Sequence, residues 1–155
     1  MTEKETCACC GAAIPPEFDS CRAMFEAVLA REYADPACGA VHLLTVDAYV
    51  LQHPEEHGPR SNAFHLMRLC RLVEQGADPR LGSKPPRVQA KSFEADYRRF
   101  PYLKPPAQRG AFTIADVIHA GNAADHVSQV RWWAVSVWEA WAEHHAWARQ
   151  AAQRH

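Results

Sequence analysis

The stretch DPACGAVHLLTVDAYVLQHP, residues 35–54, decides the fold of this chain. Its apolar residues fall nearly all round a helical wheel, and a helix that is hydrophobic on every side is usually the buried centre of a helical protein. Asp35 is a suitable N-cap, and Pro54 ends the helix because the residue before a proline disfavours the α conformation. We therefore predict a central buried helix from about Pro36 to His53.

Two further helices and a long irregular segment are predicted around this helix. Residues 15–34, PPEFDSCRAMFEAVLAREYA, place apolar side chains at three- and four-residue spacing, and the two prolines suit a helix start. Residues 61–76, SNAFHLMRLCRLVEQG, have a cap at Ser61 and a closing Gly76. Residues 77–112 contain six prolines and no sustained period, apart from a possible short helix at SFEADYRR. Such a stretch predicts a crossover loop.

The C-terminal part predicts a short helix, TIADVIHA, capped at Thr113, and then a long helix from Ala123 onward. The expected fold class is therefore all-α: one bundle-like domain over residues 1–155. It would consist of a cysteine arm (1–16), three helices (17–76), the crossover (77–112), and the short helix and long C-terminal helix (113–155).

The net charge, the apolar runs and the cysteine content of the chain restrict the classes of function that we expect. The net charge of −1 provides no basic excess for nucleic-acid binding, and no apolar run approaches the length of a membrane span. The polar start MTEKETCACC does not have the pattern of a signal peptide. We therefore expect a cytoplasmic protein, where the six cysteines stay reduced and either bind metal or pack in the core.

The motif CACCGA, residues 7–12, is half of a metal knuckle, with Cys7 and Cys10 separated by two residues and Gly11 following. If successive helices alternate in direction, the end of the central helix brings His53 to the same end of the bundle. A helix continued at 100° per residue then also turns His144 inward, with His145 on the shoulder of that face.

The predicted site is therefore a tetrahedral zinc site formed by Cys7, Cys10, His53 and either His144 or His145. Cys21 and His65 belong to the same end of the bundle and remain open as competing ligands.

Three other polar residues stand among apolar neighbours. Asp47 must pair with a cation or shift its pKa, and it could orient a histidine or act as a general base. His42 and His126 lie on facing helices and could form a second constellation, with Tyr49 and Cys70 as candidate members.

Two function classes follow. The first is a small zinc-binding helical protein with a binding or regulatory role toward an unknown protein or small molecule, without nucleic acid or membrane. The alternative is a metal-dependent enzyme, either a hydrolase or a thiol transferase, with an open metal position. The five tryptophans also suggest a homodimer through the C-terminal helix.

The motifs CACCG, LAREYADPACGAVHLLTVDAYVLQHP, TIADV and WAVSVWEAWAEHH resemble a family of small bacterial proteins known as a domain of unknown function. The resemblance covers nearly the whole chain and implies a bacterial cytosolic protein, but no reaction. The family pattern maps onto the following positions: Cys7, Cys10, Cys21, His42, Asp47, Tyr49, Gln52, His53, His126, Trp138, Trp141, His144 and His145.

Overall fold

The computed structural model describes residues 4–83 and 97–155, and the regular structure of these residues is helical, without a β-strand. The predicted all-α class is confirmed. The α-helices of the described residues are α1 (Cys21–Ala34), α2 (Pro36–Gly39), α3 (His42–Gln52), α4 (Pro59–Glu74), α5 (Ile114–Val117), α6 (Ala123–Ala140) and α7 (His145–Arg154). Two 3-10 turns cover Pro54–Glu56 and Ala142–His144. No described helix combines the length and apolarity required to cross a membrane.

Helix α3 lies at the centre of the packing. It contacts α4 on one side and α6 on another, while α4 also packs on α7 and α1 packs on α2 and α5. Nine of the eleven α3 residues are buried, which agrees with its nearly uniform hydrophobicity. One hydrophobic cluster extends from Ala12 in the N-terminal arm to Ala152 in the last helix.

The central helix is shorter than predicted, because α2 and α3 are separate helices. The backbone between them bonds to a neighbouring loop instead of continuing the helix: the Leu81 N–H donates to the Gly39 carbonyl at 2.9 Å. The Leu43 N–H likewise donates to the Pro79 carbonyl at 2.9 Å. Gly39 also packs closely on α1, where a Cβ atom would lie 2.8 Å from the carbonyl oxygen of Glu32.

Side-chain caps set the starts of α1 and α5, whereas α4 begins at Pro59 without one, so the cap predicted at Ser61 is wrong. Helix α1 begins later than the two prolines suggest, because the Ser20 side chain caps it by accepting from the Ala23 N–H at 3.1 Å. Helix α5 has the predicted Thr113 cap, reinforced by Asp116 in a capping box.

The long C-terminal helix is interrupted at Trp141. Helix α6 ends at Ala140, a 3-10 turn follows, and α7 starts at His145. The Trp141 ring is fully buried, and its indole N–H donates to the Leu51 carbonyl at 3.1 Å, which fixes the chain at the break. A helical wheel that assumes one continuous helix through Trp141 therefore assigns wrong side-chain directions to the residues after it.

The C-terminal part of the crossover is attached to α3 by Gln52. Its amide nitrogen donates to the carbonyls of Arg109 at 2.9 Å and Phe112 at 2.7 Å. Its amide oxygen accepts from the Trp133 indole at 2.8 Å. Most of the short helix proposed at SFEADYRR lies outside the described residues.

Candidate metal centre

The N-terminal arm forms a tight turn around its cysteines. An isolated antiparallel bridge joins Thr6 to Ala13, and the Gly11 N–H donates to the Cys7 carbonyl at 2.8 Å. Gly11 has a φ of 77°, a left-handed value that glycine adopts without a Cβ penalty. The turn therefore depends on the glycine that follows the second cysteine of the CxxC motif.

Two helix ends supply the other members of the cluster. Cys21 is the first residue of α1 and is buried. His53 follows the last residue of α3, and its Nδ1 lies 2.8 Å from the Tyr49 carbonyl oxygen. Because a carbonyl only accepts, Nδ1 carries a proton, so a deprotonated His53 presents its lone pair at Nε2. This bond fixes the tautomer, as hydrogen bonds to the outer nitrogen do for metal-ligating histidines.

The ligand atoms of Cys7, Cys10, Cys21 and His53 all lie within 4.8 Å of one another. Among the described residues, these four side chains form the group whose ligand atoms lie close enough together to hold a metal ion.

Two distances between ligand atoms of the group can be compared with those of a tetrahedral zinc site. Cys10 Sγ lies 3.7 Å from Cys21 Sγ, and Cys7 Sγ lies 3.5 Å from His53 Nε2. Bond lengths typical of tetrahedral zinc give edges of about 3.8 Å between two sulfurs and about 3.6 Å between sulfur and nitrogen. These two separations match the edges of a tetrahedral site, and all four ligand atoms lie within 4.8 Å of one another.

The group also carries an unusual charge distribution. A hydrogen bond from Cys21 lowers the pKa of Cys10 to about 4 and correspondingly raises the pKa of Cys21. Burial works against a charged His53, but hydrogen bonds to Cys10 and to the Tyr49 carbonyl raise its pKa to about 9. The metal-free site thus favours a Cys10 thiolate beside an imidazolium, with a proton retained on Cys21.

Arg109 fastens the cysteine arm to α3 and the crossover. Its guanidinium donates to the Cys9 carbonyl at 3.2 Å and forms an ion pair with Glu55, just beyond α3. That pair lowers the pKa of the Glu55 carboxyl. Cys9 itself is outside the four-residue group, and burial raises its thiol pKa.

His144 and His145, predicted as ligands, do not join the group. The Nε2 of His144 lies 2.9 Å from the Lys104 carbonyl, and the Nε2 of His145 lies 2.7 Å from the Trp138 carbonyl. The His145 ring also stacks on Trp138 with centroids 3.7 Å apart. The break at Trp141 is the physical reason, since it rotates both histidines away from the direction that a continuous helix would give.

His65 and Asp47 form a separate buried link. Asp47 accepts from the Arg68 guanidinium at 2.6, 3.0 and 3.1 Å, and His65 Nδ1 lies 2.6 Å from the same carboxylate. Asp47 is fully buried on α3, whereas Arg68 is partly exposed on α4. The carboxylate thus joins these two helices and orients the His65 ring.

A second buried network joins His42 and His126 through Glu32. His42 Nδ1 lies 2.8 Å from one Glu32 oxygen, while His126 Nε2 lies 2.9 Å from the other. Burial works against ionisation of Glu32, but hydrogen bonds from both histidines and from Thr45 lower its pKa. The carboxylate therefore stays ionised between the two rings. Cys70 and Tyr49 do not take part, since the Cys70 thiol donates to Glu74 at 3.9 Å and the Tyr49 hydroxyl has no hydrogen-bond partner among the described residues.

Comparison with protein-family models gives one match. A family of unknown function, DUF5946, matches residues 5–142. The chain belongs to this family. The DUF5946 match includes the four residues of the Cys–His group and the Glu32 network, but ends before His144 and His145. Neither the curated proteins nor the solved structures contain a match to the chain.

In this DUF5946 chain the sequence indicates Cys7, Cys10 and His53, and the structure brings Cys21 to them in place of a C-terminal histidine. The sequence favours Cys21 only as a competing ligand, because a cysteine on an apolar helical face is more often a small buried residue. Its position at the first residue of α1, directly after the Ser20 cap, was the available signal. Glu32 was missed because charged residues on a predicted surface helix are normally solvated.

Proposed function

We propose that this protein is a zinc-binding helical protein in which Cys7, Cys10, Cys21 and His53 hold one Zn²⁺ in a closed tetrahedral site. Three thiolates and one imidazole form a ligand set of structural zinc sites. The observation that supports the proposal most directly is the pair of distances, 3.7 Å between sulfurs and 3.5 Å between sulfur and nitrogen.

The zinc would connect three separate pieces of the chain: the N-terminal arm, the start of α1 and the end of α3. Since such a site does not persist in the unfolded chain, metal affinity becomes folding stability. Zinc therefore acts in this proposal as a structural clamp on a protein with a binding or regulatory role. A reducing compartment such as the cytoplasm belongs to the proposal, because the six cysteines are free thiols.

Metal content of purified variants tests the ligand set. We expect about one zinc per chain in the wild-type protein and its loss in Cys21→Ser, since serine is a poor ligand for zinc. Cys9→Ser is the matched control, because it changes a neighbouring thiol outside the group. His144→Ala and His145→Ala should also retain zinc. Full zinc content in Cys21→Ser would refute this ligand set.

The metal-dependent enzyme remains the alternative, and cobalt substitution separates it from the structural site. A catalytic zinc keeps a position open for water or substrate, whereas four protein ligands close the shell. We expect the cobalt spectrum to show sulfur ligation and to stay unchanged when azide is added. A band that shifts with azide would favour the enzyme.

We also propose a homodimer, whose contact would involve the exposed Trp132. Trp133, Trp138 and Trp141 are buried and Trp147 is half-buried against Phe100, but Trp132 is 55% exposed on α6 beside Phe112. Sedimentation velocity should show a dimer that dissociates in Trp132→Ala if this face joins two copies. A wild-type monomer would remove the idea.

A further inference from the structure

Two histidines of this protein are oriented by buried carboxylates. His42 donates through Nδ1 to Glu32 at 2.8 Å, and His65 donates through Nδ1 to Asp47 at 2.6 Å. Both carboxylates are fully buried. With a proton at Nδ1, the neutral ring of each histidine presents its lone pair at Nε2. Each ring is therefore a hydrogen-bond acceptor whose direction is fixed from inside the protein.

The Nε2 atoms of His42 and His65 are unused and can be reached from outside. Neither atom has a hydrogen-bond partner among the described residues. Unlike the Tyr49 hydroxyl, which is also without a partner but closed to solvent, both Nε2 atoms keep accessible surface. The two side chains are 10% and 14% exposed. Both lone pairs are thus available to a donor that comes from solution.

His42 and His65 line the same cavity, which lies between α1, α3 and α4. Its volume is about 340 Å³, enough for a small organic molecule. Apolar side chains from α1 and α3 form much of its wall, namely Phe25, Leu29, Val46 and Val50. The cavity therefore combines an apolar wall with two directed acceptors, the combination by which small-molecule sites bind and orient a ligand.

The lining provides no free charge for a ligand. No carboxylate among the described residues lines the cavity, and the lining guanidinium of Arg22 is paired with Glu26 at 3.3 Å. Burial lowers the pKa of His57, another lining residue, and so favours its neutral ring. A charged ligand would lose its hydration at the apolar wall without meeting an opposite charge.

The carboxylates behind the two rings do not require a cation in the cavity either. Asp47 already has a bidentate pair with the Arg68 guanidinium. Glu32 also accepts from His126 Nε2 at 2.9 Å, and the Nδ1 of that ring lies 3.2 Å from the Arg31 guanidinium. Since positive charge stands behind both carboxylates, a neutral donor fits the cavity better than an ammonium group or a metal ion.

We propose that this cavity binds a small neutral molecule with an apolar body and a hydroxyl group. The hydroxyl donates to the Nε2 of His42 or of His65, and the body packs on the apolar wall. Phenols and alcohols share this chemistry. The site uses no ligand atom of the Cys–His group, so it does not depend on zinc.

Binding to the purified, metal-replete protein at about pH 8, where an ordinary imidazole is neutral, tests the proposal. Phenol and cyclohexanol are the probes, and their matches are toluene and methylcyclohexane, which carry a methyl group in place of the hydroxyl. NMR titration should detect binding of at least one hydroxyl probe. Benzoate and benzylammonium should bind at least about tenfold more weakly than that probe, because neither meets a free opposite charge.

His42→Asn and His65→Asn are the decisive variants, and His119→Asn is their control. An asparagine amide can still donate to the carboxylate from near the position of Nδ1, but the Nε2 acceptor is lost. At least one of the two variants should reduce the affinity for the hydroxyl probe about fivefold or more, without a similar loss for its methyl match. His119 is exposed and does not line the cavity, so its change should leave both affinities unchanged.

A measurement on the wild type decides the matter even where a variant does not fold. A bare imidazole nitrogen that accepts a hydrogen bond changes its nitrogen NMR resonance toward that of a protonated nitrogen. The Nε2 resonance of His42 or of His65 should therefore move when the hydroxyl probe is added, and it should not move in this way with the methyl match.

Four results would overturn the proposal. They are no binding of either hydroxyl probe, tighter binding of benzoate or benzylammonium, Nε2 resonances that do not respond, and variants that weaken the hydroxyl probe and its methyl match equally or not at all. A second zinc equivalent that is lost in His42→Asn would also contradict it, since the cavity would then be a metal site. Metal analysis of the Cys–His group reports separately on the structural zinc.

Discussion

Several buried polar residues of this protein form hydrogen bonds or ion pairs. The sequence indicates that such a residue needs a partner, but it does not identify the partner. Asp47 illustrates this, since its position among apolar neighbours on α3 predicted that it must pair or change its pKa. The partners, Arg68 and His65, both come from α4, and a helical wheel of α3 cannot identify them. The same holds for Glu32, whose two histidines come from α3 and α6.

The Asp47–Arg68 pair gives the first prediction. Asp47→Asn should lower the free energy of unfolding by about 2–4 kcal/mol, because it leaves a partly buried guanidinium without its bidentate carboxylate. Urea denaturation measures this difference. Glu26→Gln is the control, because its ion pair with Arg22 is largely exposed and should contribute less than about 1 kcal/mol. Equal effects of the two changes would contradict the structural role of Asp47.

The protons held by the metal-free site give the second prediction. The pKa of Cys21 is raised by its hydrogen bond to Cys10, and the pKa of His53 is raised to about 9, so both groups are protonated at pH 7. Zinc needs both groups deprotonated, so zinc affinity should fall as the pH falls. We expect the logarithm of the affinity to change by at least about two per pH unit between roughly pH 5 and pH 8.

Competition with a chelator of known affinity across that pH range measures the slope. Calorimetry in buffers of different ionisation enthalpy gives the number of released protons independently. A pH-independent affinity would show that Cys21 and His53 do not ligate the ion.

Among the helices, capping residues and hydrophobic periodicity predicted most of those that the structure describes. Where the observed helix boundaries differ from the predicted ones, tertiary contacts are the cause. Thr113 and Asn122 cap α5 and α6 next to the predicted starts. The break at Trp141 depends on an indole bonded to Leu51, a residue 90 positions away in the chain, so no local pattern indicates it. That break also explains why the C-terminal histidines, predicted as ligands beside the CxxC motif, lie outside the Cys–His group.

The break at Gly39 gives the third prediction. Gly39→Ala should destabilise the protein by about 1–3 kcal/mol, because the new Cβ atom would lie 2.8 Å from the Glu32 carbonyl oxygen. Thermal or urea unfolding measures this change. Gly121→Ala is the matched control, with open space around its Cβ position, and should change stability by less than about 0.5 kcal/mol. An unchanged Gly39→Ala protein would show that α1 and α2 do not approach so closely.

For the whole molecule, the sequence predicted the all-α class and a buried central helix within residues 36–53, since both depend on average hydrophobicity and period. It could not predict the polar contacts between distant segments. Arg109, for example, joins the crossover to Cys9 and Glu55, and these contacts depend on the final packing.

Metal removal gives the fourth prediction. A zinc ion that binds only the folded chain stabilises it by about 4 kcal/mol at a free concentration of 1,000 times its Kd. For a chain of 155 residues, this corresponds to a decrease in Tm of roughly 8 °C or more after treatment with a strong chelator. Differential scanning calorimetry measures the shift. The Cys21→Ser protein should show no further decrease with the chelator, and a wild-type Tm that ignores the chelator would contradict the clamp.

X-ray absorption at the zinc edge tests the ligand set most directly. The account predicts three sulfur neighbours at about 2.3 Å and one nitrogen neighbour at about 2.0–2.1 Å, from Cys7, Cys10, Cys21 and His53. A shell of two sulfurs and two nitrogens, or one that contains oxygen from water, would contradict it.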